Sequence, residues 1–164
     1  MFTEIFAERK IMQMLSKLVG ADVAVSIVKG QPLAIPRIQS RRIEFVFVLI
    51  RADSPEQLSK RIGLVTDAGL KHGAVVHSVI GPMVVMAFGT LRWAQPADTS
   101  RTNLVNYMQE RFGNDIRIAR GAADGHFGNF GGGKSIHLTF SFPRFEAVLA
   151  ALGRLEFGQT EELP

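Results

Sequence analysis

HGAVVHSVIGPMVVMAFGTL, residues 72–91, reads as two strands folded back on one another. Apolar residues dominate Ala74–Ile80 and Met83–Leu91, and Gly81-Pro82 between them is turn chemistry, so the stretch predicts a hairpin. A hairpin in mid-chain needs further strands to join and helices to cover them. Upstream, Arg42–Arg51 (RIEFVFVLIR) is a near-continuous apolar run, the pattern of a strand buried on both faces. Ser54-Pro55-Glu56 then opens a helix, with Pro at its first position, that runs through Leu58, Ile62, Val65 and Leu70 to Gly73. Downstream, a loop at 94–99 leads to a helix over 100–112 and a strand over 116–121. A glycine-rich segment, a strand over 136–142 and a helix over 143–152 follow. This order predicts an α+β fold: a ferredoxin-like βαββαβ sandwich with helices on one face of a mainly antiparallel sheet.

Residues 2–19 place Phe2, Ile5, Phe6, Met12, Leu15, Leu18 and Val19 at helical spacing before Gly20. Ile5, Met12 and Val19 are seven apart, but Glu8 occupies a seam position, so a short packing helix is expected rather than a long coiled coil. Asp22 caps a second short helix over 23–29, and Gly30, Pro32 and Pro36 mark 30–41 as extended linker. The expected organisation is N-terminal helices and linker over 1–41, the main domain over 42–155, and a frayed tail over 156–164.

The chain has 164 residues, 46% hydrophobic, enough for one core and too apolar for a disordered chain. It has no cysteine, which excludes disulfides, thiolate zinc sites and a cysteine nucleophile. Apolar runs such as Phe45–Ile50 are too short to span a bilayer, and MFTEIFAERK has no signal-peptide core, so a cytoplasmic setting is expected. The net charge of +4 is mild. Arg37, Arg41 and Arg42 form the tightest basic cluster without an aromatic platform, so specific nucleic-acid binding is not expected.

Gly128-Asn129-Phe130-Gly131-Gly132-Gly133-Lys134-Ser135 fits the phosphate-binding pattern G-x-x-x-x-G-K-[ST]. One reading is a phosphate or nucleotide site using Gly131, Gly133, Lys134 and Ser135. That chemistry needs a helix after the loop, whereas IHLTFSF after Ser135 reads as a strand, so the other reading is a hairpin loop. His72, His77, His126 and His137 show no metal-ligand spacing, and no nucleophile elbow accompanies any Ser–His–Asp set.

Residues 72–89 resemble the central hairpin of class III nucleotidyl (adenylate/guanylate) cyclase domains, in which H-G-G, a strand and I-G-D-x-x-x-A-x-F-G follow one another. Two further stretches agree in order. Arg117-Ile118-Ala119 through Gly128-Asn129-Phe130-Gly131-Gly132 is similar to the family's R-I-G-I-H-x-G-x-x-x-x-G-N-I-G, and Arg41-Arg42-Ile43-Glu44-Phe45 is similar to its R-R-E-V lead-in. The resemblance spans about residues 20–152 and implies metal-assisted attack of a ribose hydroxyl on a nucleoside triphosphate, at a site formed between two chains.

In the positions that the resemblance assigns to chemistry, this chain differs. The two metal-binding Asp positions fall on Ala52 and Pro82, with Asp53 the only near-match. The purine-selecting Lys position is Ser78, and its acidic partner falls near His137 or Leu138. The ribose-orienting Asn and the transition-state Arg positions are Glu146 and Ala150, with Arg144 and Arg154 nearby but off the spacing. The scaffold glycines Gly73, Gly81, Gly89, Gly128 and Gly131 are kept. The expectation is a pseudoenzyme: a catalytically silent cyclase-like domain that binds, in a regulatory, scaffold or nucleotide-sensing role, without a cofactor. Its expected partner is a second copy or another cyclase-like chain. The alternative is an active cyclase using Mg²⁺ or Mn²⁺ on relocated ligands, Asp53 with Asp124 or Glu146.

Overall fold

The structure is a computed structural model that describes residues 38–89, 97–129 and 138–164. The expected helices over 2–19 and 23–29 lie outside the described residues.

Strand β1 (Gln39–Ile50) is the middle of the sheet. It pairs antiparallel with β3 (Met83–Phe88) on one side and with β4 (Ile116–Asn129) on the other. β2 (Val75–Ile80) and β5 (Leu138–Ser141) complete the order β2-β3-β1-β4-β5. A sixth strand, β6 (Thr160–Leu163), lies parallel to β4. Helices α1 (Pro55–Lys71), α2 (Ala97–Phe112) and α3 (Phe145–Arg154) cover the sheet. The α+β class and the mainly antiparallel sheet are as the sequence predicts. β1 begins at Gln39, inside the stretch expected to be linker, because Gln39 to Arg41 pair with Phe127 to Gly125 of a β4 longer than the predicted 116–121.

Alternation along β1 divides the interior into two cores. Val46, Val48 and Ile50 face one way and pack with Val65 of α1 and Leu104 and Met108 of α2. Ile43, Phe45 and Phe47 face the other way and pack with Val148, Ala151 and Leu152 of α3. The expectation of helices on one face therefore needs correction: α3 lies on the opposite face from α1 and α2. The reason is the hydrophobic pattern of β1 itself, since a strand apolar at every position needs cover on both sides. Phenylalanines fill the α3 side, with Phe45 and Phe142 stacked at 4.6 Å and Phe47 edge-on to Phe145 at 5.3 Å.

The tail is not frayed. Thr160, Glu161, Glu162 and Leu163 pair with Ile118, Ala119, Arg120 and Gly121. Alternate residues of β6 serve opposite sides of the sheet. Glu162 lies 2.9 Å from Arg101 of α2 and 2.5 Å from Arg120 of β4, while Arg101 also reaches Glu44 of β1 at 3.1 Å. Thr160 accepts from Gln109 of α2 at 2.5 Å, whereas Leu163 packs on the phenylalanine core and Glu161 meets Arg154 of α3 at 3.3 Å. Ion pairs and a side-chain hydrogen bond, with Leu163 the one apolar contact, add to the β4 ladder in holding this strand.

β4 carries glycine where other strands of the sheet come close. A Cβ on Gly121 would lie 2.8 Å from both the Leu163 carbonyl oxygen and the tip of the Phe45 ring, so this position requires glycine. Gly63, inside α1, has no such neighbour. Gly121→Val is expected to destabilise the fold by about 1–3 kcal/mol through overpacking. Gly63→Ala is expected to stabilise it by about 0.5–1 kcal/mol, because alanine loses less backbone entropy in a helix. Urea unfolding of the two variants measures both signs.

Candidate functional site

The end of β1 is where three segments converge. The Ile50 N–H donates to the Pro82 carbonyl at 2.9 Å, which holds the β2–β3 turn against the strand end. The Arg51 N–H donates to the Asp115 carbonyl at 2.7 Å, which adds the 3₁₀ turn (Gly113–Asp115) leading into β4. Gly81 adopts φ +55°, a conformation natural to glycine, and this lets Pro82 follow in the turn. α1 starts just beyond. Ser54 Oγ accepts from the Gln57 N–H at 3.1 Å, and Gln57 Oε1 accepts from the Asp53 N–H at 2.7 Å, a reciprocal cap that fixes the Arg51–Ser54 link.

Sequence reasoning missed the ionic wiring of this corner. The Arg61 guanidinium, from α1, donates to the Arg51 carbonyl and to Asp115 Oδ2, the latter at 2.7 Å. Asp115 is thereby engaged by a cation. Arg61 and Asp115 are 54 residues apart, and no local pattern signals their meeting. The Ile50–Pro82 bond sets Pro82 beside the end of β1, two residues before Ala52 and three before Asp53 in sequence. Asp53 is exposed. Among the described residues no three of His, Cys, Asp and Glu gather closely enough to hold a metal ion.

No protein-family model matches the chain, and no curated protein sequence matches it. Solved structures do. The adenylyl cyclase CyaB from P. aeruginosa superposes with a TM-score of 0.57 at 15% identity, over 77% of this chain and 79% of that one. The guanylate cyclase domain of RhGC from Catenaria anguillulae, solved in complex with GTP, superposes with a TM-score of 0.62 at 12% identity, over 77% of this chain and 80% of that one. A bacterial light-regulated adenylyl cyclase gives 0.65 at 12% identity, over 93% of this chain and 50% of that one. The chain has the class III nucleotidyl cyclase fold.

Within this cyclase fold, β2 carries a bulge. Val76 opposes Met86 and Ser78 opposes Val85, which leaves His77 as the extra residue. The shift places Ser78 opposite a residue of the α3-side core. His77 packs on Phe140 of β5, with ring centroids 4.5 Å apart, so β2 and β5 meet through aromatic rings. The neighbouring Leu138 begins β5, while His137 lies outside the described residues.

Gly131, Gly133, Lys134 and Ser135 also lie outside the described residues. Their flanks are described: Gly128 pairs with Thr139 and Asn129 with Leu138, antiparallel. The glycine-rich segment therefore connects two strands that pair antiparallel, the second of which begins at Leu138. A phosphate loop that uses a helix N-terminus does not fit that connection.

Glu146 and Ala150 both sit on α3 and are exposed. Asp124 lies on β4 opposite Arg42, with an ion pair at 3.9 Å, at the far end of β1 from Asp53. The eight residue steps from Arg42 to Ile50 alone extend about 26 Å at strand rise, so Asp53 and Asp124 cannot share an ion. No membrane-spanning helix occurs among the described residues.

Burial lowers the pKa of His77 from its ordinary value of 6.5. As pH falls, the unfolded chain therefore takes up this proton first. The stability that neutral His77 contributes is complete above about pH 6.5 and declines as pH falls toward the depressed folded value. His77→Phe, which keeps a ring against Phe140 and cannot titrate, should flatten that decline in denaturant unfolding measured across this range. An unchanged profile would remove His77 as its source.

Proposed function

We propose that this chain is a catalytically silent cyclase-like domain that works by binding, in a regulatory or scaffold role. The observation that carries the reading is the Ile50–Pro82 hydrogen bond at 2.9 Å. It sets the hairpin turn against the end of β1, where metal-holding carboxylates are expected from the family resemblance. The side chains there, Ala52 and Pro82, have no ligand atom. A lone carboxylate such as Asp53 is a weak holder for the divalent ions that this reaction uses, because hard cations take several oxygens at once. Asp115, the next acid at the corner, already pairs with Arg61.

The charge-stabilising positions point the same way. Glu146 and Ala150 stand where the resemblance expects Asn and Arg, and removing one transition-state donor costs about 3–4 kcal/mol. Losing metal ligands and donors together leaves no stabilisation for a pentavalent phosphorus. The reading includes association with a second copy or with another cyclase-like chain. It also leaves nucleotide binding without turnover as a mode of action.

The test is incubation of the purified chain with ATP or GTP and Mn²⁺, with cyclic product followed by chromatography and binding followed by calorimetry. No cyclic product is expected. Saturable nucleotide binding without product supports a sensing role, and absence of binding supports a protein scaffold. Cyclic product that disappears in Asp53→Asn would overturn the silent reading in favour of relocated metal ligands.

A further inference from the structure

The outer edge of β4 is shared by two strands that do not meet. β6 pairs with Ile118 to Gly121 and β5 with His126 to Asn129. Between them, Ala122 to Gly125 have no strand partner on that edge among the described residues. A cavity of about 240 Å³ opens at this notch, walled by Phe45 of β1, Ala122 and Ala123 of β4, Ala147 of α3 and Leu163 of β6. The hollow has a cause in the sequence, since three of those five side chains are single methyl groups. Phe45 does not close it, because its ring is stacked on Phe142 at 4.6 Å. The space holds about eight groups of water size at about 30 Å³ each.

One end of the hollow is charged. Arg144, exposed at the start of α3, lines it together with Pro164 and donates an Nη1–H to the Pro164 carbonyl. A guanidinium has five N–H donors, and Arg144 has no other acceptor and no acidic partner among the described residues. The acids of the two neighbouring strands are engaged elsewhere. Asp124 lies opposite Arg42, pairs with it at 3.9 Å, and by strand alternation faces away from the side that Ala123 shares with α3. Glu161 pairs with Arg154 at 3.3 Å, and Glu162 pairs with Arg101 at 2.9 Å. Glu146, on α3 itself, is exposed to water. An apolar hollow with one guanidinium at its rim is built for a ligand that is apolar along its length and anionic at one end.

We propose that the notch between β5, β6 and α3 binds a small apolar carboxylate, an alkanoate of about eight carbons, with its carboxylate on Arg144. Its chain lies against Phe45, Ala123, Ala147 and Leu163, where it leaves water for an apolar wall. The two carboxylate oxygens match two parallel N–H groups of a guanidinium in a charge-assisted pair. One guanidinium balances one negative charge, which a carboxylate carries and a phosphate ester exceeds. The wall side chains offer no hydrogen-bonding group, so a sugar or a nucleoside would be desolvated there without compensation. The site needs no metal, and it stands whether or not the chain turns over nucleotide.

The experiment is calorimetric titration and thermal unfolding of the full chain with sodium octanoate, with sodium acetate and 1-octanol as controls at equal ionic strength. Octanoate is expected to saturate one site per chain and to raise the unfolding temperature. Acetate lacks the chain and should not saturate. Octanol lacks the charge and should bind about tenfold or more weakly, the loss expected for a hydrogen bond to a charged group. Arg144→Ala should lower octanoate to the affinity of octanol, and it should keep the fold, because the Arg144 side chain makes no capping bond to α3. Ala147→Phe, at an exposed helix position, fills the hollow and should abolish octanoate binding, with urea unfolding to show that the fold is kept. No saturation by octanoate, equal affinity for octanol, or wild-type octanoate affinity in either variant would overturn the proposal.

Discussion

Everything in this fold hangs on β1 being buried on both faces while paired along both edges. Val46, Phe47 and Val48 are completely inaccessible. Their alternation sends successive residues into two different cores, one closed by α1 and α2 and the other by α3. A strand so enclosed has one register on each side, because a slip of one residue would exchange the two cores. The fixed register in turn sets which groups emerge at its end. Ile50 pairs with Ile116 and its N–H reaches Pro82, so the corner is a consequence of the pairing.

The second constraint is ionic. Arg101 is 7% exposed and meets carboxylates from β1 and β6, so the charge that α2 places against the sheet is neutralised by strands far apart in sequence. Burying one member of such a set without its partners would be strongly unfavourable. The polar strand β6 is therefore part of the structure that makes Arg101 tolerable, and Phe157, just before it, is clamped between the same elements that form the corner.

The strands with strong local patterns were legible in the sequence. RIEFVFVLIR predicts a central strand, and Gly81-Pro82 predicts the turn that the structure contains. The same apolar run also implied cover on both faces, and α3 supplies it, although the element order alone suggested a one-sided sandwich. What was not legible depends on partners distant in the chain. Thr160-Glu161-Glu162-Leu163 has too little apolar content to read as a strand, and its partners Arg101, Arg120, Gln109 and Arg154 come from distant elements. Arg61 finds Asp115, and Arg51 and Arg117 find Phe157, through tertiary contacts that leave no periodic trace. The positions Ala52, Ser78 and Pro82 came from a resemblance to the cyclase family, and the Ile50–Pro82 bond sets Pro82 beside the end of β1.

On the proposed reading, an alanine and a proline at the strand-end corner leave the cyclase scaffold without the capacity to hold metal. The corner of this chain is rich in guanidinium groups instead, with Arg51, Arg61 and Arg117 around a single pairing geometry. The most direct measurement is an electron paramagnetic resonance titration of the chain with Mn²⁺, which counts free ions by their hexaquo signal. The account predicts that the free Mn²⁺ signal in the presence of protein equals that in buffer. A stoichiometric, saturable loss of free signal that Asp53→Asn abolishes would contradict it.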